Sequence, residues 1–165
     1  LPNVTYKRAD MSAVNAKIPA AEFGVCINAI LTPHAKDRAI FFSNLKKCIK
    51  KNGTLVLTVP SLESFLLTRI IQRQFGIDKK AFAEKITGKK ALQKWTLLMQ
   101  GVGEIDQVPH KHFLEEELLL NLGKSGFNVI EIKKIEYPWS TEFNHPPSWL
   151  QSPKPWDWMV LAQKK

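Results

Sequence analysis

Asp10 follows a short β-branched and aromatic run, residues 4–9, that the sequence predicts as a strand. A carboxylate at the carboxyl end of a parallel strand lies on the edge where open α/β sheets take ligands. The same side chain also caps turns, and the two uses can coexist. Asn28 and Ala29 fall near the end of an apolar run, residues 23–31, where an Asn commonly makes loop hydrogen bonds. His34 stands alone in Thr32-Pro33-His34, and a lone loop imidazole is most often simply solvated. His110-Lys111-His112 could turn two imidazoles to one side of an extended segment, but no Cys lies nearby in sequence to complete a metal site. No metal is therefore expected. Trp139 and Trp149, set among prolines, could line a pocket or an interface, whereas Trp156 and Trp158 share one strand face and read as core. The sequence holds no G-x-G-x-x-G, Walker loop, H-E-x-x-H or G-x-S-x-G.

These side chains need elements to bring them together, and the hydrophobic pattern supplies them. Residues 23–31 are nearly continuous apolar sequence, which predicts a strand buried on both faces. Phe41, Leu45, Cys48 and Ile49 make one stripe of a helix over 36–51, with lysines in its last turn and Asn52-Gly53 as its left-handed stop. Thr54-Leu55-Val56-Leu57-Thr58-Val59 is a second buried strand, ended by Pro60. Strand, helix, strand at this spacing is a βαβ unit and implies a parallel sheet. Residues 61–108 show helical patterns only: one helix capped by Ser61 and ending near Gly76, one starting at Asp78, and one over 91–100. They read as a helical insertion. After Pro109 come a helix led by Glu115-Glu116-Glu117 and closed by Gly126, an exposed edge strand over 127–137, a Pro/Trp-rich loop, and a closing strand over 156–162. The expected organisation is a single α/β domain, 1–165: a strand–helix–strand part over 1–60, a helical lid over 61–108, and a C-terminal helix with antiparallel edge strands over 109–165.

Composition narrows the classes further. Hydrophobic residues at 44% and charged residues at 24% of 165 suit one folded domain and exclude wholesale disorder. No apolar run approaches the ~20 residues of a membrane span, and Leu1-Pro2-Asn3 has neither the basic lead nor the apolar core of a signal peptide. Two cysteines, Cys26 and Cys48, make neither a disulfide framework nor a four-ligand zinc site, which points to the reducing cytoplasm. The net charge of +9 is uneven: residues 1–60 hold nine Lys/Arg against three Asp/Glu, 61–108 eight against five, and 109–165 seven against seven. Much of that excess is Lys46, Lys47, Lys50 and Lys51, which read as a solvated helix end ahead of a nucleic-acid patch.

The ordered set of segments resembles the class I S-adenosylmethionine-dependent methyltransferases, small-molecule type. The segments are a strand followed by Asp10-Met11, the run 23–31, Leu45 through Pro60, then His112-Phe113-Leu114-Glu115-Glu116-Glu117-Leu118 and Ser125-Gly126-Phe127. The resemblance covers most of 3–60 and 110–162 and implies a Rossmann-like fold with S-adenosyl-L-methionine as cofactor. It implies that Asp10 accepts a hydrogen bond from the adenine amino group, that Met11 offers its backbone N–H and covers the ring, and that Asn28 and Ala29 border the methionine end. His34 would be a candidate base, and His110, His112 and Trp139 would rim the acceptor pocket. The family's first two strands and glycine-rich loop are absent; Gly24 stands where the family has Asp, and Asn52 where it has the first Gly of a pair. The expectation is therefore an N-terminally incomplete domain, inactive as residues 1–165 alone.

Two other readings stand beside methyl transfer to a small-molecule acceptor. One is a catalytically silent methyltransferase-like binding subunit, with dimerisation through the helical insertion. The other is a nucleic-acid-binding or nucleic-acid-modifying protein, which gains from the basic first third but lacks interleaved aromatic and basic residues.

Overall fold

The computed structural model describes residues 3–14, 16–78 and 86–165. Its main sheet has four strands in the order β1-β2-β6-β5. Strands β1 (Ala21–Ile27) and β2 (Ile49–Pro60) run parallel and are joined by helix α1 (Ala35–Cys48). Helix α2 (Leu62–Gln74) and helix α3 (Gly88–Leu98) follow. A small hairpin of β3 (Val102–Ile105) and β4 (Val108–Lys111) comes next, then α4 (Glu115–Lys124), β5 (Phe127–Glu136) and β6 (Trp156–Lys164).

Alternation in β2 builds the core. Leu55, Leu57 and Val59 are all 0% exposed and point to one face, where they meet Phe41, Phe42 and Leu45 of α1 and Leu118 and Leu122 of α4. Each such side chain contributes about 1.5–3 kcal/mol when removed from water. Three glutamates in the first turn of α4 complement its dipole, and Gly126 (φ 83°) turns the chain into β5. Trp156 and Trp158 are buried, as their shared face predicts.

Several expectations need correction. Residues 4–9 form no strand, because no neighbour among the described residues offers them a ladder. Among the described residues the run at 23–31 is not buried on both faces: β1 lies at the edge of the sheet and stops at Ile27, with Phe23, Val25 and Ile27 each more than half exposed. Helix α1 ends at Cys48 and passes directly into β2. Asn52 (φ 62°) and Gly53 serve the register shift where β2 pairs with β1, and do not stop the helix. A Cβ at residue 53 would stand 2.8 Å from the Glu22 carbonyl oxygen.

The insertion is not wholly helical either. Asp106 (φ 49°) and Gln107 (φ 66°) both take left-handed backbone, the geometry of a two-residue hairpin turn, but they lack the Asn-Gly signature that advertises one. The helix expected from Asp78 falls mostly outside the described residues. Finally, β6 does not close the sheet at an edge. It lies between β2 and β5, antiparallel to both.

Candidate active site

The register brings one end of every main-sheet strand to a common edge. Asn28 ends β1, with its backbone N–H donating to the Thr58 carbonyl at 3.0 Å. Pro60 and Ser61 end β2; Asp157, opposite Pro60, begins β6; Tyr137 follows β5. A cavity of about 840 Å³ opens along this edge. Helix α2 walls one side with Phe65, Thr68, Arg69 and Gln72, and the hairpin turn and the loop after Tyr137 complete the enclosure.

Ser61 fixes the start of α2. Its Oγ accepts the Ser64 N–H at 3.1 Å and donates to Glu63 Oε2 at 2.9 Å. Ser64 Oγ in turn accepts the Trp156 N–H at 2.8 Å, tying the helix to the first residue of β6. The helix therefore sits at a set height over the sheet edge.

The polar groups around the cavity are individually positioned. Asn28 holds φ 44°, a conformation Asn tolerates better than most residues, and its Nδ2 donates to Asp157 Oδ2 at 3.0 Å. Burial pushes the Asp157 carboxyl up from its ordinary range, and the Asn28 hydrogen bond offsets part of that shift. Tyr137 OH donates to Glu142 Oε1 at 3.0 Å. Its phenol is pushed upward by burial, then by the charges of Glu142 and Asp157. His112 is 3% exposed; its ring lies 4.4 Å from that of Phe65, centroid to centroid. Burial lowers its pKa to about 4, so the ring is neutral at pH 7. Its Nδ1 lies 3.0 Å from the His110 carbonyl oxygen, which assigns the proton to Nδ1 and the lone pair to Nε2.

Of the residues singled out from sequence, Asn28 and His112 line this cavity together. Asp10 and Met11 lie in a turn elsewhere on α1's side. Asp10 Oδ1 accepts the Ser12 N–H at 2.8 Å, the turn-capping use. The buried Asn44 side chain holds that turn against α1 by donating to the carbonyls of Met11 (2.9 Å) and Ala13 (2.8 Å). Ala29 is exposed just beyond Asn28, and His34 is the exposed N-cap residue of α1; neither lines the cavity. His110 sits in β4 with its Nδ1 buried and unpartnered. Trp139 does not form the rim expected of it. It is 3% exposed and stacks on Phe143 at 5.4 Å, so that Phe143 faces the cavity and Trp139 backs it. Among the described residues, no group of three or more His, Cys, Asp or Glu is placed to hold a metal ion.

Sequence reasoning missed Tyr137, Glu142 and Asp157. Strand β6 runs antiparallel to its neighbours and presents its first residues, Asp157 among them, at this edge, while Tyr137 and Glu142 reach it from the end of β5 and the loop beyond; neither placement can be read without the topology.

The same arrangement of sheet and helices occurs in solved structures. A SAM-dependent methyltransferase from Methanosarcina mazei superposes with a TM-score of 0.59 at 16% identity, over 93% of this chain and 64% of that one. An S-adenosylmethionine dependent methyltransferase from Mesorhizobium loti gives 0.56 at 15%, over 97% and 69%. The fold is that of the class I methyltransferases. A third structure with this fold, the 1,6-didemethyltoxoflavin-N1-methyltransferase of Burkholderia thailandensis, holds 1,6-didemethyltoxoflavin and S-adenosylhomocysteine; it gives 0.53 at 10%, over 94% of this chain and 48% of that one. The chain thus spans less than two thirds of the length of the Methanosarcina protein. No family model matches the sequence, and no curated protein sequence does. No helix among the described residues is long and apolar enough to cross a membrane.

Proposed function

We propose that this chain supplies the acceptor pocket and part of the cofactor edge of an S-adenosylmethionine-dependent methyltransferase acting on a small molecule. The observation that carries this reading is the cavity at the shared strand edge, roofed by α2, in a chain with the class I methyltransferase fold. Its size suits a drug-sized ligand.

The resemblance to methyltransferases assigns one side of the cofactor to residues of this chain. Asp10 keeps Oδ2 outside its turn bond for the adenine amino group, and Met11 lies beside it on a turn that Asn44 immobilises. Asn28 and Ala29 border the methionine end. The cofactor supplies an electrophilic methyl on a sulfonium. The chain's own residues then orient the acceptor and exclude water, with α2 and the β3–β4 hairpin as the cover. His112 lines the cavity with a neutral imidazole whose low basicity suits it to accept a hydrogen bond at Nε2 rather than to take a proton, whereas the exposed His34 lies outside the cavity. Free Cys26 and Cys48 agree with a cytoplasmic home; burial pushes the Cys26 thiol up to about 11, so it stays an inert thiol.

Titration with S-adenosylhomocysteine to millimolar concentration, followed by ¹H–¹⁵N NMR, tests the reading. The amides of Asp10, Met11, Asn28 and Ala29 should shift, and Asp10→Ala should weaken binding by about 1.5–3 kcal/mol, the scale of one hydrogen bond to a charged group. A folded protein whose spectrum does not respond, or responds only elsewhere, overturns it.

A further inference from the structure

The cavity's charge is opposite to the protein's. The chain carries a net +9, yet among the described residues four carboxylates, Asp78, Asp106, Glu142 and Asp157, line the cavity with a single guanidinium, Arg69. That guanidinium is held in place by neutral acceptors: it donates to Gln72 Oε1 at 3.0 Å and to the Glu104 carbonyl at 2.8 Å, and it lies 5.1 Å from the centroid of the Phe65 ring, so its one positive charge offsets one of the four carboxylates. His112 adds no charge at neutral pH. Two of the carboxylates have one oxygen each engaged by a neutral donor, Asn28 at Asp157 and Tyr137 at Glu142, so neither is paired with a cation there.

A second observation points to a ligand. Thr68 lines the same cavity and is 4% exposed, and its Oγ1 has no hydrogen-bond partner. A helical Thr ordinarily satisfies its hydroxyl on the carbonyl of the preceding turn. Leaving it buried and unpaired costs stability unless a ligand completes the bond. Phe65 and Phe143 give the cavity two aromatic surfaces beside these polar groups.

We propose that the molecule this cavity takes is an amine, bound as its ammonium ion between the carboxylates of Asp157 and Glu142, with an apolar or aromatic body against Phe65 and Phe143. An ammonium has three N–H donors and no acceptor, which matches a wall of carboxylate oxygens and a hydroxyl. Asp157 is half-buried and Glu142 is exposed, so water screens the pairing less at Asp157 than at Glu142. The ammonium is a recognition handle; the inference concerns what binds and rests on the reading of this cavity as the acceptor pocket.

The test is an NMR titration of the chain at pH 7 and constant ionic strength with three probes of one shape: benzylammonium chloride, benzyl alcohol and sodium benzoate. Benzylammonium should bind at least tenfold more tightly than benzyl alcohol, with shifts centred on the Asn28 side-chain amide and the Thr68 backbone. Benzoate should bind most weakly. Asp157→Asn and Glu142→Gln should each cut the amine's advantage at least fivefold; the second lies on a loop, so it reports even if the first unfolds the protein. Equal binding of amine and alcohol, preference for benzoate, or shifts centred away from the cavity overturn the proposal. So does loss of the amine's signal when S-adenosylmethionine is added but not when S-adenosylhomocysteine is added, which assigns the cation site to the cofactor's sulfonium. Amine selectivity without any response to S-adenosylhomocysteine leaves the amine site standing and removes the methyltransferase reading. A response to S-adenosylhomocysteine without amine selectivity does the reverse.

Discussion

Lys111 is 1% exposed, and its ammonium lies 2.6 Å from Glu117 Oε2, joining β4 to the first turn of α4. The same nitrogen donates to the Gln100 carbonyl at 2.9 Å and lies 4.7 Å from the centroid of the Phe113 ring. Burial lowers the lysine's pKa, and Glu117 restores part of it. Removing one partner leaves a buried charge alone, whereas removing both leaves an apolar contact. Glu117→Gln should therefore destabilise by about 2–4 kcal/mol, while Lys111→Met combined with Glu117→Leu should cost clearly less. Urea denaturation of the three proteins checks this; a double variant no better than the single one refutes the account.

Acid should weaken the fold through His112. Its folded pKa of about 4 lies below the 6.5 of an unfolded imidazole, so between those values the unfolded chain binds the extra proton. Stability is full above pH 6.5 and falls as pH drops toward 4, by on the order of 3 kcal/mol. Replacement by Phe keeps a ring against Phe65 and removes the titration. Thermal melts of both proteins between pH 4 and 7.5 should show a smaller loss for His112→Phe. Parallel curves would place the acid sensitivity elsewhere.

Gly103 has a packing role. A Cβ there would lie 2.5 Å from Phe65 Cζ, and Phe65 is the ring that holds His112. Gly103→Ala should cost about 1–3 kcal/mol by overpacking. Adding Phe65→Leu should recover part of that loss, as coupled neighbours do. Melting temperatures of the single and double variants decide it.

Helices α2 and α3 should differ in local stability although both belong to the insertion. Five residues of α2 are buried; none of α3 is, and Leu92, Trp95 and Met99 all remain exposed. Amide exchange over Gly88–Leu98 should run well ahead of that over Leu62–Gln74. Protection of α3 that climbs with protein concentration would instead assign its apolar side to a dimer.

What the sequence revealed and what it hid divide along a physical line. Local signals spoke clearly: Ser61 as a cap, the glutamate-led start of α4, Gly126 as its stop, and the paired tryptophans of β6 all read correctly from spacing and chemistry. The βαβ unit did too. Long-range placement stayed silent. The continuous apolar run at 23–31 looks the same whether its strand is central or at an edge, and only the sheet order distinguishes them. Asn28 and His112 were visible because each follows a recognisable segment. Their partners Asp157 and Phe65 lie 129 and 47 residues away and meet them only through the antiparallel insertion of β6 and the angle of α2.

The two borders of the main sheet differ in what they present to other molecules. β5 carries Glu131, Lys133, Lys134 and Glu136, charges that discourage another strand from pairing with it. β1 has a single charge, Glu22, already engaged by Lys50 at 3.2 Å, followed by Phe23, Val25 and Ile27 in the open. Among the described residues its outer backbone groups pair with no further strand, beside an apolar strip. These 165 residues taken alone will therefore stick by that flank first, and their aggregation during purification should yield to a lysine at Val25 while the opposite border needs no such help.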